Sequence, residues 1–98
     1  CIQRREQLQR LALRGLYELA ITYLNRHEFE AAVLHSRRIL AMEPWHEDGC
    51  AVLIKALLGS GKVSEARHAC QTCKEHLLIE LEISESPILE ELCHQLST

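Results

Sequence analysis

The stretch that decides the fold of this chain runs from Phe29 to Glu47, FEAAVLHSRRILAMEPWHE. Its apolar and small residues recur at steps of three and four, which places them on one face of a helix. These residues are Phe29, Ala32, Val33, Ser36, Ile39 and Leu40. Pro44 has no backbone N–H and disfavours helical angles at Glu43, so the helix is predicted to end near Met42. The acidic Glu47 then suits the positive N-terminal end of a following helix.

The same pattern returns further along the chain, where Val63-Ser-Glu-Ala66 corresponds to Phe29-Glu-Ala-Ala32. This spacing of about 34 residues is the period of tetratricopeptide helix-turn-helix repeats. The repeat template fits as Leu16-x2-Leu19-Ala20-x2-Tyr23…Ala32-x3-Ser36…Pro44 and again as Cys50-x2-Leu53-Ile54-x2-Leu57…Ala66-x3-Cys70. The sequence therefore predicts an all-α fold of tetratricopeptide-like antiparallel helix hairpins.

About five helices are predicted, over residues 3–24, 28–42, 47–58, 63–80 and 87–96. Asn25-Arg26-His27 is predicted to form the first turn, where a residue with positive φ is usual, while Gly59-Ser60-Gly61 closes the third helix. Glu82 to Glu85 form a short connector, and Ser86-Pro87 is a helix-start signal. Since two repeats leave the fourth helix uncovered, we expect the last helix to fold back as a C-terminal cap over Leu77, Leu78 and Leu81.

Each further helix has a predicted inward face at helical spacing. In the first helix this face comprises Leu8, Leu11, Ala12, Leu16, Leu19, Ala20 and Tyr23. In the third it comprises Cys50, Leu53, Ile54 and Leu57; in the fourth, Ala66, Cys70, Cys73 and Leu77; in the last, Leu89, Leu92, Cys93 and Leu96. Gly15 interrupts the first helix, so we expect close helix packing or a slight bend there.

Length and composition indicate one small domain over residues 1–98. The 98 residues are 47% hydrophobic with only four aromatic side chains, and no run of 18 apolar residues could span a membrane. The chain does not begin with Met and lacks the apolar core of a signal peptide, so we interpret it as a fragment of a longer protein.

The net charge of −3 is unevenly distributed. Residues 1–40 contain seven Lys or Arg against four Asp or Glu, whereas residues 41–98 contain four against ten. An acidic second half argues against a nucleic-acid surface across the whole chain. In the first helix, Arg4, Arg5, Arg10 and Arg14 could contact a phosphate or an acidic partner, or simply form a solvated face.

The five cysteines, an odd number without a secretory signal, indicate a reducing compartment, free thiols and a cytoplasmic protein. Cys70-Gln-Thr-Cys73 has the CxxC spacing of a zinc or redox motif. Both cysteines lie on the predicted inward face of a helix, however, which favours two core thiols over a metal or redox site.

No catalytic set is apparent. The six histidines lack HExxH spacing, and GxGxxG, GxxxxGK[ST] and GxSxG are all missing from the sequence. Gly59-Ser-Gly61-Lys62 follows a helix and not a strand, so its context is wrong for a phosphate loop. We therefore predict a protein that is not an enzyme and has no cofactor and no metal site.

Binding is the function that this architecture favours. The first helix of each hairpin should line a concave groove, presenting the following residues by template position: Arg14, Tyr17, Ile21 and Asn25 from the first unit, and Ala51 and Lys55 from the second. Such a surface would suit an amphipathic or acidic partner segment. The alternative is that these residues pack against a further domain.

Three stretches of the sequence are more specific than the general tetratricopeptide repeat pattern. They are Leu40-Ala-Met-Glu-Pro44-Trp-His-Glu47-Asp-Gly, Gly61-Lys-Val-Ser-Glu65-Ala66 and Leu78-Ile-Glu-Leu-Glu-Ile83-Ser-Glu-Ser-Pro87-Ile-Leu. In this order they resemble the bacterial transcriptional activator domain, a tetratricopeptide-like module of regulators similar to the Streptomyces antibiotic regulatory proteins. Glu82 and Glu85 depart from the family pattern, which usually has Gly and Pro there.

This resemblance implies a regulatory and protein-interaction domain of a bacterial transcriptional regulator. In such regulators a separate winged-helix domain reads the DNA, and the helical domain contributes dimerisation, contact with the DNA-binding domain, or contact with the transcription machinery. The resemblance thus implies protein partners, with DNA reached only through another domain and no membrane. The alternative is a generic tetratricopeptide adaptor that binds a partner peptide.

Overall fold

The computed structural model describes residues 2–81 and 87–97, and this part of the chain is helical, without a strand. Its five helices are α1 (Ile2–Asn25), α2 (Phe29–Met42), α3 (Glu47–Gly59), α4 (Val63–Leu81) and α5 (Pro87–Ser97). Each end lies within one residue of its predicted position, which confirms the all-α fold. None of these helices has the length and apolar character needed to cross a membrane.

Two helix hairpins, α1 with α2 and α3 with α4, form the body of the fold. Ala32 and Ala66, which occupy equivalent positions in the two repeats, both have no exposed surface. Small side chains at these positions allow the two helices of each hairpin to approach closely. The repeat period is therefore a property of the structure as well as of the sequence.

The turns that close the two hairpins also correspond. His27 has φ 61° and Gly61 has φ 79°. The Glu28 N–H donates to the Tyr23 carbonyl at 2.9 Å, and at the equivalent place in the second hairpin the Lys62 N–H donates to the Leu57 carbonyl at 2.8 Å. This pattern is the Schellman helix end, in which a left-handed residue lets the chain reverse. The prediction of a positive φ in the first turn is confirmed, and His27 is the residue that adopts it.

The α2–α3 junction follows Pro44 as predicted, and it contains a helix cap that the sequence did not indicate. The Gly49 N–H donates to Nδ1 of His46 at 2.8 Å, so the imidazole satisfies a backbone donor in the first turn of α3. A Cβ on Gly49 would lie 2.8 Å from Cγ2 of Ile39. Glycine is therefore required here for α2 and α3 to pack closely.

The core lies on both sides of α3, which packs against each of the other four helices. One cluster joins α3, α4 and α5 and includes the predicted inward residues Cys50, Leu53, Leu77 and Leu89. The other cluster joins α1, α2 and α3 and comprises Leu13, Ala20, Ala32, Ile39, Val52 and Ala56. Because it has neighbours on both sides, α3 is buried over most of its circumference.

The inward face predicted for α1 is wrong at four of its seven positions. Leu8, Leu11 and Leu19 are 60%, 65% and 45% exposed, and Ala12 is exposed as well. Leu13, which was not predicted, is the buried leucine of this segment. The α1 helix is much longer than α2 and belongs to the first hairpin, so in the described residues no preceding helix covers its other side. Only Leu16, Ala20 and Tyr23 of the predicted face pack on the core or lie in it.

The expectation for Gly15 is also wrong. A Cβ built on Gly15 would meet nothing within 4 Å. The glycine is exposed and, within the described residues, faces neither α2 nor α3 closely. It is therefore not needed for packing inside this domain.

The α5 helix folds back onto α3 and α4, as predicted for a capping helix. Leu89 is fully buried and Leu92 is 7% exposed, in the same cluster as Leu77, and Lys74 Nζ lies 3.3 Å from Glu90 Oε1. The cap does not extend to Leu78, which is 54% exposed. The predicted connector, Ser86 and the side chains of Leu81 and Leu96 lie outside the described residues.

The prediction of free thiols is wrong for two of the cysteines. Cys50 of α3 and Cys73 of α4 form a disulfide across a sequence separation of 23. Their positions on the inward faces place both sulfurs in the interface between these helices, where the hairpin brings them together. Cys70 and Cys93 remain as thiols. The prediction that Cys70 and Cys73 lie in the core is confirmed.

Candidate partner-binding groove

A groove of about 540 Å³ is lined by residues of α1, α3 and α5. Tyr17 and Ile21 of α1 line one wall, one helical turn apart, and Ala51 and Lys55 of α3 stand in the same relation on the other. The structure therefore brings together four of the six residues that the repeat template placed in a concave groove. We call this surface the α1–α3 groove.

The other two template residues lie elsewhere. Nε of Arg14 is 3.5 Å from Glu18 Oε1, in an ion pair whose side chains are 79% and 67% exposed. Such an exposed pair contributes about 0–1 kcal/mol of stability. Asn25 is the exposed last residue of α1. Neither residue lines the groove.

Sequence reasoning missed the third wall of the groove. Ile88, Glu91 and Leu92 of α5 close it. The amphipathic stretch after Pro87 predicted a capping helix, but its pattern did not specify the side on which it would cap. Because α5 packs on α3 as well as on α4, it narrows the groove and supplies two of its apolar side chains.

The charges of the groove differ from those expected. Asp48 and Glu91 line it together with Lys55, so carboxylates outnumber amines. Burial raises the pKa of Tyr17, and the nearby carboxylate of Asp48 raises it further. The Tyr17 phenol is therefore a protonated hydrogen-bond donor at neutral pH. The groove thus suits an apolar segment with a basic group better than the acidic segment that Arg14 and Lys55 suggested.

A second surface lies on the opposite side of α1. Five exposed residues recur along it at helical spacing: Leu8, Leu11, Ala12, Gly15 and Leu19. We call these residues the outer stripe of α1. The core face of the same helix carries Leu13 and Ala20, so α1 is apolar on two sides.

The residues considered for chemistry are dispersed. Cys73 is bonded to Cys50, Cys70 is hydrogen-bonded to Cys93, and His46 caps α3. His35 stacks on Tyr23 with ring centroids 5.3 Å apart. Among the described residues, no three His, Cys, Asp or Glu side chains lie together as a metal-binding group.

Comparison of the sequence with known proteins identifies the family to which this chain belongs. The sequence model of the bacterial transcriptional activator domain matches residues 1–97, which is nearly the entire chain. No curated protein and no solved structure matches it. The matched family is regulatory and its name refers to transcription. The all-α hairpins, the repeat period and this match agree, and the chain belongs to the bacterial transcriptional activator domain family.

Proposed function

We propose that this chain is the regulatory, protein-interaction domain of a bacterial transcriptional regulator, that it contacts a separate winged-helix DNA-binding domain, and that it does so through the outer stripe of α1. Dimerisation through the same stripe is the other form that this function could take. In this proposal the protein is cytoplasmic, carries out no catalysis and reaches DNA only through the other domain.

The observation that carries the proposal is the pair of apolar faces on α1. A helix at the edge of a domain usually has one apolar face against the core and a polar face toward water. Here Leu8, Leu11 and Leu19 form a second apolar line, each 45–65% exposed. Contiguous exposed apolar residues on a surface are typical of an interaction site.

The residues at the middle of the outer stripe are small, which would allow a helix or sheet of the partner to pack closely against α1. Ala12 and Gly15 lie between the leucines, and the space over Gly15 is open to 4 Å. A side chain of the partner could therefore enter above Gly15 while the leucines pack around it. This geometry would also explain why a helix retains a glycine that costs about 1 kcal/mol relative to alanine.

The extent of the stripe favours a linked domain over a free dimer. Stable interfaces between separate proteins bury about 800 Å² per partner, and three partly exposed leucines fall well short of that. A domain joined by a linker has a high effective concentration, so a smaller apolar surface is enough to hold it.

The α1–α3 groove supports a second candidate function, an adaptor that binds a peptide. Its volume and its Ile21, Ile88 and Leu92 lining could accommodate apolar side chains of a short segment. Binding of a peptide in this groove would leave the outer stripe unchanged, so the two functions can be separated by mutation.

The test uses residues 1–98 and the winged-helix domain of the same regulator joined in one chain, and compares the amide chemical shifts of residues 1–98 in the joined and the isolated form. Joining the domains should change the shifts along the outer stripe, and Leu11→Gln combined with Leu19→Gln should abolish these changes, whereas the control Leu34→Gln, at a similarly exposed leucine of α2, should not. Sedimentation of residues 1–98 alone reports dimerisation. A monomer whose outer stripe shows no shift changes in the joined form, or changes that the stripe variant retains, would contradict the proposal. Sequence-specific band shifts by residues 1–98 alone would contradict it as well.

A further inference from the structure

A cavity of about 590 Å³ lies between α2 and α4, away from both surfaces described above. Pockets that hold small molecules commonly have volumes of several hundred cubic ångströms, so the size of this cavity is suitable for such a ligand. We propose that it is a binding site for a small apolar molecule with one anionic group, such as an aromatic acid.

The floor of the cavity is apolar. Leu53 of α3 forms its base together with the disulfide-bonded Cys73, and both are buried. Leu40 and Pro44 at the end of α2 form the side wall. A flat hydrocarbon or aromatic body placed here would remove this apolar surface from water, which is the main source of affinity for such a ligand.

The rim carries nitrogen donors. Arg37 of α2 stands on one side, and His68 and His76 stand two turns apart on α4, on the other side. An arginine can bind a carboxylate through two parallel hydrogen bonds, and a neutral imidazole can add one N–H. In the described part of the chain Arg37 has no ion pair, so its guanidinium is available to a ligand.

The rim contains one acidic residue, and it does not change the preference of the rim for an anionic group. Glu65 lines the cavity from the first turn of α4. There the positive end of the helix dipole partly compensates a carboxylate. The remaining ionisable groups of the rim are Arg37 and the two imidazoles, so an anionic ligand group is the complementary one.

A small ligand fits this site better than a partner helix. Its volume of about 590 Å³ is that of a small-molecule pocket, and a partner helix would need a longer apolar face than Leu40, Pro44, Leu53 and Cys73 provide. In a regulator, a molecule bound between α2 and α4 would change the stability of the hairpins that carry the partner surfaces. The proposal therefore goes beyond the proposed function and would survive its failure.

The experiment uses residues 1–98 and two fluorescent probes that differ in one group. Anilinonaphthalene sulfonate has an aromatic body with one anion, and phenylnaphthylamine has the same aromatic frame without the sulfonate. Trp45, the single tryptophan of the chain, follows Pro44 at the cavity wall and should transfer energy to either bound probe. We expect saturable one-to-one binding of the sulfonate, and weaker binding of the neutral probe.

Three variants assign the site. Arg37→Met should weaken sulfonate binding by about tenfold, the loss of one charged hydrogen bond, and leave the neutral probe unaffected. The control is Arg38→Met, at the exposed neighbour that does not line the cavity. Ala41→Phe should fill the cavity from its exposed edge and block both probes. Thermal melting of each variant checks that the fold is retained.

Amide chemical shifts locate the probe independently of the variants. The proposal expects changes at Ala41, Thr72 and His76 and none at Tyr17 or Lys55. Sulfonate binding that Arg37→Met leaves unchanged, shifts confined to the α1–α3 groove, or non-saturable binding would each overturn it. Shifts at the cavity that arise only with the winged-helix domain would assign it to a protein contact and overturn it too.

Discussion

Leu19 and Leu53 occupy the same position in successive repeats, yet Leu19 is 45% exposed and Leu53 is 3% exposed. The two side chains have the same helical context and the same template position. The difference arises from their neighbours: α3 has helices on both sides, whereas α1 has packing partners on one side in the described structure. Burial in a repeat fold is therefore set by the next unit as well as by the residue itself.

The first prediction uses this pair. Leu53→Ala should lower the free energy of unfolding by about 2–5 kcal/mol, because it empties a core position between two hairpins. Leu19→Ala should change it by less than about 0.5 kcal/mol in the isolated domain, as expected for an exposed site. Urea denaturation of both variants gives the comparison. Equal losses would show that α1 is covered in solution.

The second prediction concerns the two equivalent turns. His27→Gly should stabilise the protein by about 1 kcal/mol, because glycine adopts a positive φ without the steric cost that a side chain incurs. Gly61→Ala should destabilise it by a similar amount for the same reason. Thermal unfolding measures both changes. If His27→Gly is destabilising, the tilted ring contact between His27 and Phe29, 5.5 Å between centroids, outweighs the backbone term.

The third prediction compares two helical glycines. Gly15→Ala should stabilise α1 by about 1 kcal/mol, since alanine is the better helix former and the space around Gly15 is open. Gly49→Ala should be destabilising by about 1–3 kcal/mol, because the new methyl group would overlap Ile39. The melting temperatures of the two variants should therefore shift in opposite directions. A shared direction would show that packing at Gly49 is looser than described.

The fourth prediction concerns the Cys50–Cys73 disulfide. Reducing it should lower the free energy of unfolding by about 3 kcal/mol, the loop-closure term for a sequence separation of 23. The measurement is urea denaturation with and without dithiothreitol. The matched control is the variant with Cys50→Ala and Cys73→Ala, which should be insensitive to the reductant. A wild-type protein that is equally insensitive would contradict the pairing.

The fifth prediction concerns Cys70. Burial raises the pKa of this thiol from its ordinary 9.0 to about 12, and the hydrogen bond with Cys93 contributes to the increase. At neutral pH it should therefore hold about three orders of magnitude less thiolate than an ordinary cysteine, and iodoacetamide should modify it very slowly. Mass spectrometry of native protein across a pH series measures the rate at Cys70, with urea-unfolded protein as the control.

The same pKa shift makes stability depend on pH. The folded state binds the Cys70 proton more tightly than the unfolded state does, so this stabilising contribution is complete below about pH 9. It is lost as the pH rises through about 12. The variant Cys70→Ala should lack this component of the alkaline loss. An identical alkaline loss in variant and wild type would show that the thiol is not shifted.

The sequence by itself determined the helices and their register. All ten helix ends were predicted to within one residue of their positions in the structure. The signals were the apolar steps of three and four, Pro44, Ser86-Pro87 and the glycines of the second turn. Helical periodicity also identified interior residues of α2, α3 and α4, but it missed Val52 and Ala56 of α3. These features are local, because they depend on backbone propensity and on which residues share one helix face.

Only the tertiary structure decided which faces are covered and which side chains meet. Three features depend on contacts between separate helices: the exposure of Leu8, the disulfide between Cys50 and Cys73, and the closing of the α1–α3 groove by Ile88. Helix periodicity identifies an apolar face but does not specify which helix covers it, and α1 has two such faces. The cavity beside Arg37 likewise exists only because α2 and α4 diverge above α3, a relation between whole helices that no single segment encodes.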